Sequence, residues 1–156
     1  MKVLFYPLID HSLIKYPLQK CDYMNDCLFH GLRSLLGENL IDSYYMDHMY
    51  NTYTHKSELY GNGFTIFGKL DNIHIDRENI EEKIRDRFFD QIIIPIHNNR
   101  FRAIDSNIQE IKKIKSYGNV LKIVDGNDNT DIYEELTKYG TLFKRELIYP
   151  TNKVLP

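Results

Sequence analysis

Two histidines and one aspartate have the chemistry of a general base and lie where a sheet could bring them together. His11, His97 and Asp125 each follow an apolar run of the sequence. A carboxylate beside an imidazole orients the ring and raises its basicity, as general base catalysis requires. We therefore predict these three residues to be catalytic. A competing interpretation stays open, in which the histidines are solvated and Asp125 caps a turn, because Asp-Gly and His-Asn-Asn are common turn sequences.

Asp10, Asp128 and Arg145 are the candidate substrate-binding residues. Asp10 follows the first apolar run, Asp128 belongs to the acidic turn that begins at Asp125, and Arg145 lies in the last predicted strand. Carboxylates can bind hydroxyl groups, and a basic residue can balance the charge of a phosphate. Residues that follow parallel strands meet at the carboxyl edge of the sheet. We therefore predict one crevice at that edge, lined by the catalytic and the binding residues.

Asp26, His30 and Arg33 form a second polar group. Their spacing puts them on one face of the predicted first helix. This face either lines the crevice or is solvated, and solvation is the more ordinary interpretation. Cys27, on the neighbouring apolar stripe, is expected to be a small buried side chain.

Glycine-rich phosphate loops do not occur in the sequence. There is no G-x-G-x-x-G and no G-x-x-x-x-G-K-[ST], and Gly61-Asn62-Gly63 is typical of a turn. This argues against a dehydrogenase or a P-loop NTPase. The segment 125–131 alternates oxygen-bearing side chains as a calcium loop does, but Thr130 and Leu136 stand where such a loop needs Gly and Glu. We therefore predict no cofactor and no metal.

The elements that must position these residues alternate between strand and helix. Apolar runs predict buried strands at 3–8, 40–44, 92–96, 120–124 and 142–149. Apolar residues at helical spacing predict helices at 24–35, 76–88, 104–111 and 132–136. Strands flanked by short helices indicate a parallel sheet covered on both faces. The predicted fold class is α/β, a three-layer Rossmann-like or flavodoxin-like domain with a mainly parallel sheet of about five strands.

Length and composition fit a single domain over residues 1–156. Of the 156 residues, 42% are hydrophobic and 27% are charged, which excludes intrinsic disorder. The net charge of −2 gives no sign of a nucleic-acid or membrane partner, and no apolar run is long enough to span a bilayer. The two cysteines lack disulfide or zinc spacing, so we expect a cytoplasmic protein.

Tyrosines concentrate in an excursion at 44–70. Exposed aromatic side chains are costly, so we expect residues 44–67 to pack on the first helix or on a second copy of the chain. The second case would make the chain a homo-oligomer. The same stretch could serve as the partner surface of a non-catalytic interaction module.

Two short sequences carry a resemblance to a known family. IVDGND at 123–128 and LFKREL at 142–147 resemble the end of the N-terminal half of bacterial and phage glycosyltransferase-like proteins with the GT-B architecture. In those proteins a DGxD turn is followed by a (Y/F)FKRE strand. The resemblance covers mainly residues 90–150 and departs at Leu142, where the family has an aromatic residue. It implies a Rossmann-like half that binds a sugar or nucleotide sugar, without the second domain that holds the donor.

The leading hypothesis is therefore a glycosyltransferase-like Rossmann domain that recognises a sugar or another polar small molecule. A stand-alone flavodoxin-like enzyme acting on a nucleotide or sugar phosphate is an alternative from another class. Both would use the same crevice, and only fold-level analogy separates them.

Overall fold

The computed structural model describes residues 1–8, 23–59, 66–96, 104–128, 130–147 and 154–155. These residues are built around one open sheet of six strands. In chain order the strands are β1 Val3–Phe5, β2 Leu40–Asp42, β3 Gln91–Ile96, β4 Leu121–Asp125, β5 Gly140–Lys144 and β6 Val154–Leu155.

Neighbouring strands are parallel throughout, and their order across the sheet is β2-β1-β3-β4-β5-β6. This confirms the predicted α/β class with a parallel sheet. β6 was not predicted, because two residues are too few to show a hydrophobic pattern.

Three α-helices and four shorter 3₁₀ turns connect the described strands. The helices are α1 Tyr23–Leu36, α2 Ile80–Arg85 and α3 Ile104–Ser116, and the 3₁₀ turns lie at Gly37–Asn39, Asp47–Met49, Lys56–Glu58 and Glu134–Lys138. The helix predicted at 132–136 is thus a 3₁₀ turn. Gly37 and Gly118 follow α1 and α3 closely with positive φ angles of 55° and 86°, the left-handed conformation that glycine adopts readily at helix ends.

Strand side chains alternate between two apolar clusters, one on each face of the sheet. Val3 and Phe5 of β1 belong to the cluster that contains Phe29 of α1. Leu4 belongs to the other cluster, together with residues of α2 and α3. Helices therefore cover both faces, which explains why the strands appear in the sequence as continuous apolar runs.

The tyrosine-rich stretch packs on the first helix, as predicted. Met46, Met49 and Tyr50 are buried in the same cluster as Phe29 of α1. Tyr45 stacks on Tyr50, with 5.1 Å between the ring centroids, and keeps 39% of its surface exposed. The stretch therefore contributes to the core and also presents an aromatic ring to solvent.

The buried face of α1 matches the predicted apolar stripe only in part: Met24 is buried, and Leu28 and Leu32 pack against the cluster that contains Phe29. Cys27 is exposed and Leu35 is 83% exposed, so the expectation of a buried Cys27 was wrong. The face toward the sheet carries Asp26, Phe29 and Arg33 instead. The two polar residues tolerate burial because each has a hydrogen-bonded partner.

The order of the strands reverses between β1 and β3. The chain runs outward from β1 to β2 on one side, and from β3 to β6 on the other. Doubly wound sheets of this flavodoxin-like order bind ligands outside the carboxyl ends of the strands, at the point of reversal. Among the described helices, none combines the length and the apolar character needed to cross a membrane.

Candidate functional site

The structure brings Asp125, Asp128 and Arg145 together at the carboxyl ends of β4 and β5. Asp125 is the last residue of β4 and is in register with Lys144, the last residue of β5. The backbone N–H of Arg145 donates to the Asp125 carbonyl at 3.1 Å. The end of one strand therefore fixes the position of the charged residues that follow the other.

Asp125 and Lys144 form a buried ion pair. The Lys144 Nζ lies 3.1 Å from Asp125 Oδ2, and the two side chains are 0% and 1% exposed. The backbone N–H and the side-chain amide of Asn127 donate to Asp125 Oδ1 at 3.0 and 2.7 Å. Lys144 in turn donates to the Asn127 carbonyl at 3.2 Å. Asp125 thus holds the turn that follows β4 and balances the charge of Lys144.

Among the described residues, the rim beside this pair contains an aromatic ring and three charged side chains, one of them Glu146, which accepts from Nε of Arg145 at 3.2 Å. Arg145 forms an ion pair with Asp128, donates to the hydroxyl of Tyr23 and lies 5.7 Å from the centre of the Tyr23 ring. Tyr23 is 38% exposed and the Arg145 side chain 35% exposed. Three separate elements therefore present polar groups to solvent at one place: the start of α1, the turn after β4 and the end of β5.

Gly126 allows α1 to approach this rim. A Cβ atom at Gly126 would lie 2.6 Å from Cγ of Met24, closer than real Cβ atoms come to other heavy atoms. A larger residue at 126 would therefore have to displace the Met24 side chain, which lies in the first turn of α1 next to Tyr23.

The other predicted site residues lie outside the described part of the chain. Asp10 and His11 fall within 9–22, and His97 falls within 97–103. Their convergence with Asp125 stays a prediction. Near the end of β1, Tyr6 donates its hydroxyl to Glu110 Oε1 at 3.1 Å and so joins β1 to α3. Burial, reinforced by Glu110, raises the pKa of Tyr6 well above its usual value.

The polar stripe on α1 is not a solvated face. Asp26 accepts a hydrogen bond from Nε2 of His48 at 2.8 Å, and both side chains are buried. The Nδ1 atom of His48 has no hydrogen-bond partner among the described residues and is shielded from solvent. This arrangement ties the first turn of α1 to the turn at Asp47–Met49, and it offers no exposed base. His30 lies half-buried beside it.

Arg33, the third residue of the stripe, belongs to a second buried polar cluster at the end of β2. Its Nη2 donates to Asp42 Oδ1 at 2.9 Å, and its Nη1 donates to the carbonyls of Gly37 and Leu40 at 2.8 and 2.6 Å. Arg77 also binds Asp42, through Nε to Oδ2 at 3.0 Å and Nη2 to Oδ1 at 2.9 Å. Asp42 therefore accepts hydrogen bonds from two arginines.

Tyr50 completes this second cluster. Its hydroxyl accepts from Nη2 of Arg77 at 3.2 Å. Burial and the charge of Asp42 raise the pKa of Tyr50, although Arg33 and Arg77 act in the opposite direction. Arg77 and Tyr45 also line a cleft of about 390 Å³.

Sequence reasoning missed several of these residues. Lys144 could have been found from the register of β4 and β5, because residues directly opposite in neighbouring strands share a face. Tyr23 and Arg77 carry no local signal, since their partners Arg145 and Asp42 lie far away in the chain. Among the described residues, no group of His, Cys, Asp and Glu side chains could hold a metal ion.

The fold and the edge residues define a class: a doubly wound α/β domain of flavodoxin-like strand order with a polar site at the carboxyl edge of its sheet. No family model, no curated protein and no solved structure matches the chain.

Proposed function

We propose that this chain binds a sugar or another polar small molecule at the carboxyl ends of β4 and β5, as a glycosyltransferase-like Rossmann domain would. One observation carries the proposal: the Tyr23 ring, Arg145 and Asp128 come from three elements and meet on the surface beside the buried Asp125–Lys144 pair. Such a combination suits a sugar, because an aromatic face packs against C–H groups while a carboxylate and a guanidinium bind hydroxyls or phosphate.

The resemblance to GT-B proteins supports the same site. Its two sequences, 123–128 and 142–147, are distant in the chain, but Asp125 with Lys144 and Asp128 with Arg145 form ion pairs between them. Motif residues that make contact in the fold are suited to serve one site. The proposed domain corresponds to the sugar-binding half of a GT-B protein. Its basis is the aromatic and charged side chains at the carboxyl edge of the sheet.

The proposed function is binding, without catalysis by Asp125. Its Oδ1 atom already accepts two hydrogen bonds from Asn127, and its Oδ2 atom faces the Lys144 ammonium. A carboxylate held in this way is poorly placed to orient an imidazole or to take a proton. Catalysis would have to come from His11 or His97, the two residues that an enzyme acting on a nucleotide or sugar phosphate would also use.

The test is a thermal-shift screen of the protein against simple sugars, nucleotide sugars and nucleotides, followed by calorimetry of each ligand that stabilises it. A specific ligand at a hundredfold excess over its Kd stabilises the fold by roughly 2.7 kcal/mol. We expect a sugar-containing ligand to bind, and Arg145→Ala to weaken its binding about tenfold or more, the usual cost of losing a charge-assisted hydrogen bond.

Arg85→Ala is the matched control, because Arg85 is an exposed arginine paired with a glutamate on α2, a helix that contributes no residue to the site. It should leave binding unchanged. If no sugar-containing compound binds, or if both arginine variants bind equally well, the proposal is wrong. His97→Ala in the same screen tests the enzyme alternative, which requires that variant to lose turnover of a nucleotide or sugar phosphate.

A further inference from the structure

Among the described residues, the cluster at the end of β2 contains one more positive charge than negative. Asp42 is 0% exposed and binds both Arg33 and Arg77, whose side chains are 4% and 23% exposed. A guanidinium cannot lose its proton in a protein, so both arginines stay charged. One carboxylate therefore faces two fixed cations. A buried excess charge is costly unless a counter-ion offsets it.

The excess charge is accessible at Arg77. Four of the five N–H groups of an arginine have partners here: Nε and one Nη2 proton bind Asp42, the other Nη2 proton binds Tyr50, and one Nη1 proton is directed to the Ile75 carbonyl at 3.3 Å. The second Nη1 proton has no partner among the described residues. Arg77 is thus held rigidly and still has a donor to offer.

The cleft beside Arg77 has the composition of an anion site. Among the described residues, its lining consists of Arg77, Tyr45, Ile75 and three exposed residues, Asn72, Ile73 and His74, and includes no carboxylate. Three acids adjoin these residues in sequence: Asp76 is engaged by Lys83 at 2.7 Å, Asp71 accepts from Asn51 at 3.0 Å, and Glu78 is exposed. Because no acidic side chain of the described residues lines the cleft, its wall carries no charge that repels an incoming anion.

Tyr45 gives the cleft an aromatic wall. The guanidinium of Arg77 lies 4.7 Å from the centre of the Tyr45 ring, and the ring stacks on Tyr50 at 5.1 Å. The ring is therefore fixed on one side and 39% exposed. A planar group of a ligand could pack against the exposed part of this ring while its charged end reaches Arg77. The cleft volume of about 390 Å³ suits a small molecule of this kind.

We propose that this cleft binds the oxyanion group, phosphate or carboxylate, of a small molecule that carries a planar ring. The oxyanion accepts from Nη1 of Arg77 and offsets the second arginine charge, and the ring lies against Tyr45. The site is separate from the one at β4 and β5, since β1 and β3 stand between and put the strands about 14 Å apart.

Calorimetry with phenyl phosphate, benzoate, inorganic phosphate and phenol tests the proposal on the intact chain. We expect phenyl phosphate or benzoate to bind more tightly than phosphate or phenol, because each contains both the ring and the charge. The difference between phenyl phosphate and benzoate identifies which oxyanion the cleft prefers.

Asn72→Asp places a negative charge in the cleft lining at an exposed position and should weaken binding of the preferred probe about tenfold, with an unchanged melting temperature. The matched control is Gln109→Glu, an equal change at an exposed position of α3. Tyr45→Leu should remove the advantage of phenyl phosphate over inorganic phosphate.

Two outcomes would overturn the proposal. One is that neither phenyl phosphate nor benzoate binds at millimolar concentration. The other is that Asn72→Asp and Gln109→Glu bind the probe equally well, which would place any anion elsewhere on the surface. Neither outcome depends on whether a sugar binds at β4 and β5.

Discussion

The ends of β2 and β4 each bury an aspartate, but they neutralise it differently. Asp125 faces one lysine and is further held by Asn127, so among the described residues its cluster contains one negative and one positive charge. Asp42 faces two arginines and lies beside an open cleft. A balanced pair needs nothing further, whereas an unbalanced cluster has a charge left for a ligand. A buried charge at a strand end can thus stabilise the fold or help to bind a ligand. The number of positive charges around the aspartate distinguishes the two cases.

The largest expected effect is the loss of either carboxylate. Asp42→Asn leaves two arginines that cannot release their protons, one of them almost fully buried. Asp125→Asn leaves one lysine, which can become neutral when its counter-charge is gone. We expect each variant to lose about 3–5 kcal/mol of unfolding free energy, with Asp42→Asn at the upper end. Urea denaturation near neutral pH measures both.

The double variant Asp125→Asn/Lys144→Met provides the control for this comparison. Removing both members of a buried pair should cost less than removing one, because no unpaired charge remains. A double variant less stable than Asp125→Asn would show that Lys144 supports the fold through contacts other than the ion pair. If Asp42→Asn and Asp125→Asn lose the same unfolding free energy, the second arginine adds no electrostatic cost.

The difference between the two clusters also explains what the sequence could predict. Asp125 directly follows a recognisable apolar run, so its place at the carboxyl edge could be predicted from the pattern. Asp42 lay inside the predicted strand 40–44 and Arg77 inside the predicted helix 76–88, and both elements are shorter in the structure. Their contact joins residues 35 positions apart, which no local periodicity reports.

A similar limit applies to α1. Its helical spacing was correctly predicted, but the face that packs on the sheet was predicted only in part, since Met24, Leu28 and Leu32 pack there. An apolar pattern selects Cys27 and Leu35 for burial, whereas the fold buries Asp26 and Arg33, which have polar partners on other elements. Helix propensity and periodicity depend only on the residues of the helix itself. Which face of the helix packs on the sheet also depends on residues of other elements, which the local sequence does not identify.

A smaller effect is expected from the tyrosine that completes the unbalanced cluster. The pKa of Tyr50 is raised, so the folded state holds the phenolic proton more tightly than the unfolded state does. Its contribution to stability is fully present below about pH 10, the ordinary tyrosine value, and is lost as pH rises through the folded value. Tyr50→Phe should therefore flatten the alkaline loss of unfolding free energy between neutral pH and pH 11, measured by urea denaturation.

Tyr6→Phe serves as a companion variant in the same series, since the pKa of Tyr6 is raised as well. The two changes should add, because the tyrosines lie in different apolar clusters of the fold. Tyr117→Phe is the control. If Tyr50→Phe loses stability with pH as steeply as the unmodified chain, the two arginines outweigh burial and Asp42 at this hydroxyl.

The smallest expected effect on stability comes from the exposed pair at the rim of β4 and β5. Asp128 is 69% exposed, and its ion pair with Arg145 is open to solvent and salt. Exposed pairs contribute about 0–1 kcal/mol, so Asp128→Asn should change the unfolding free energy by no more than that. Asp131→Asn, which changes an exposed aspartate in the same acidic segment, is the matched control.

Asp128 and Asp125 should differ in what their loss affects. A residue that barely affects the unfolding free energy but strongly affects binding of a sugar-containing ligand belongs to a binding site. Calorimetry on both variants should show weaker binding for Asp128→Asn alone. A loss of several kcal/mol in unfolding free energy for Asp128→Asn would instead place this pair with Asp125 and Lys144, as part of what holds the turn after β4.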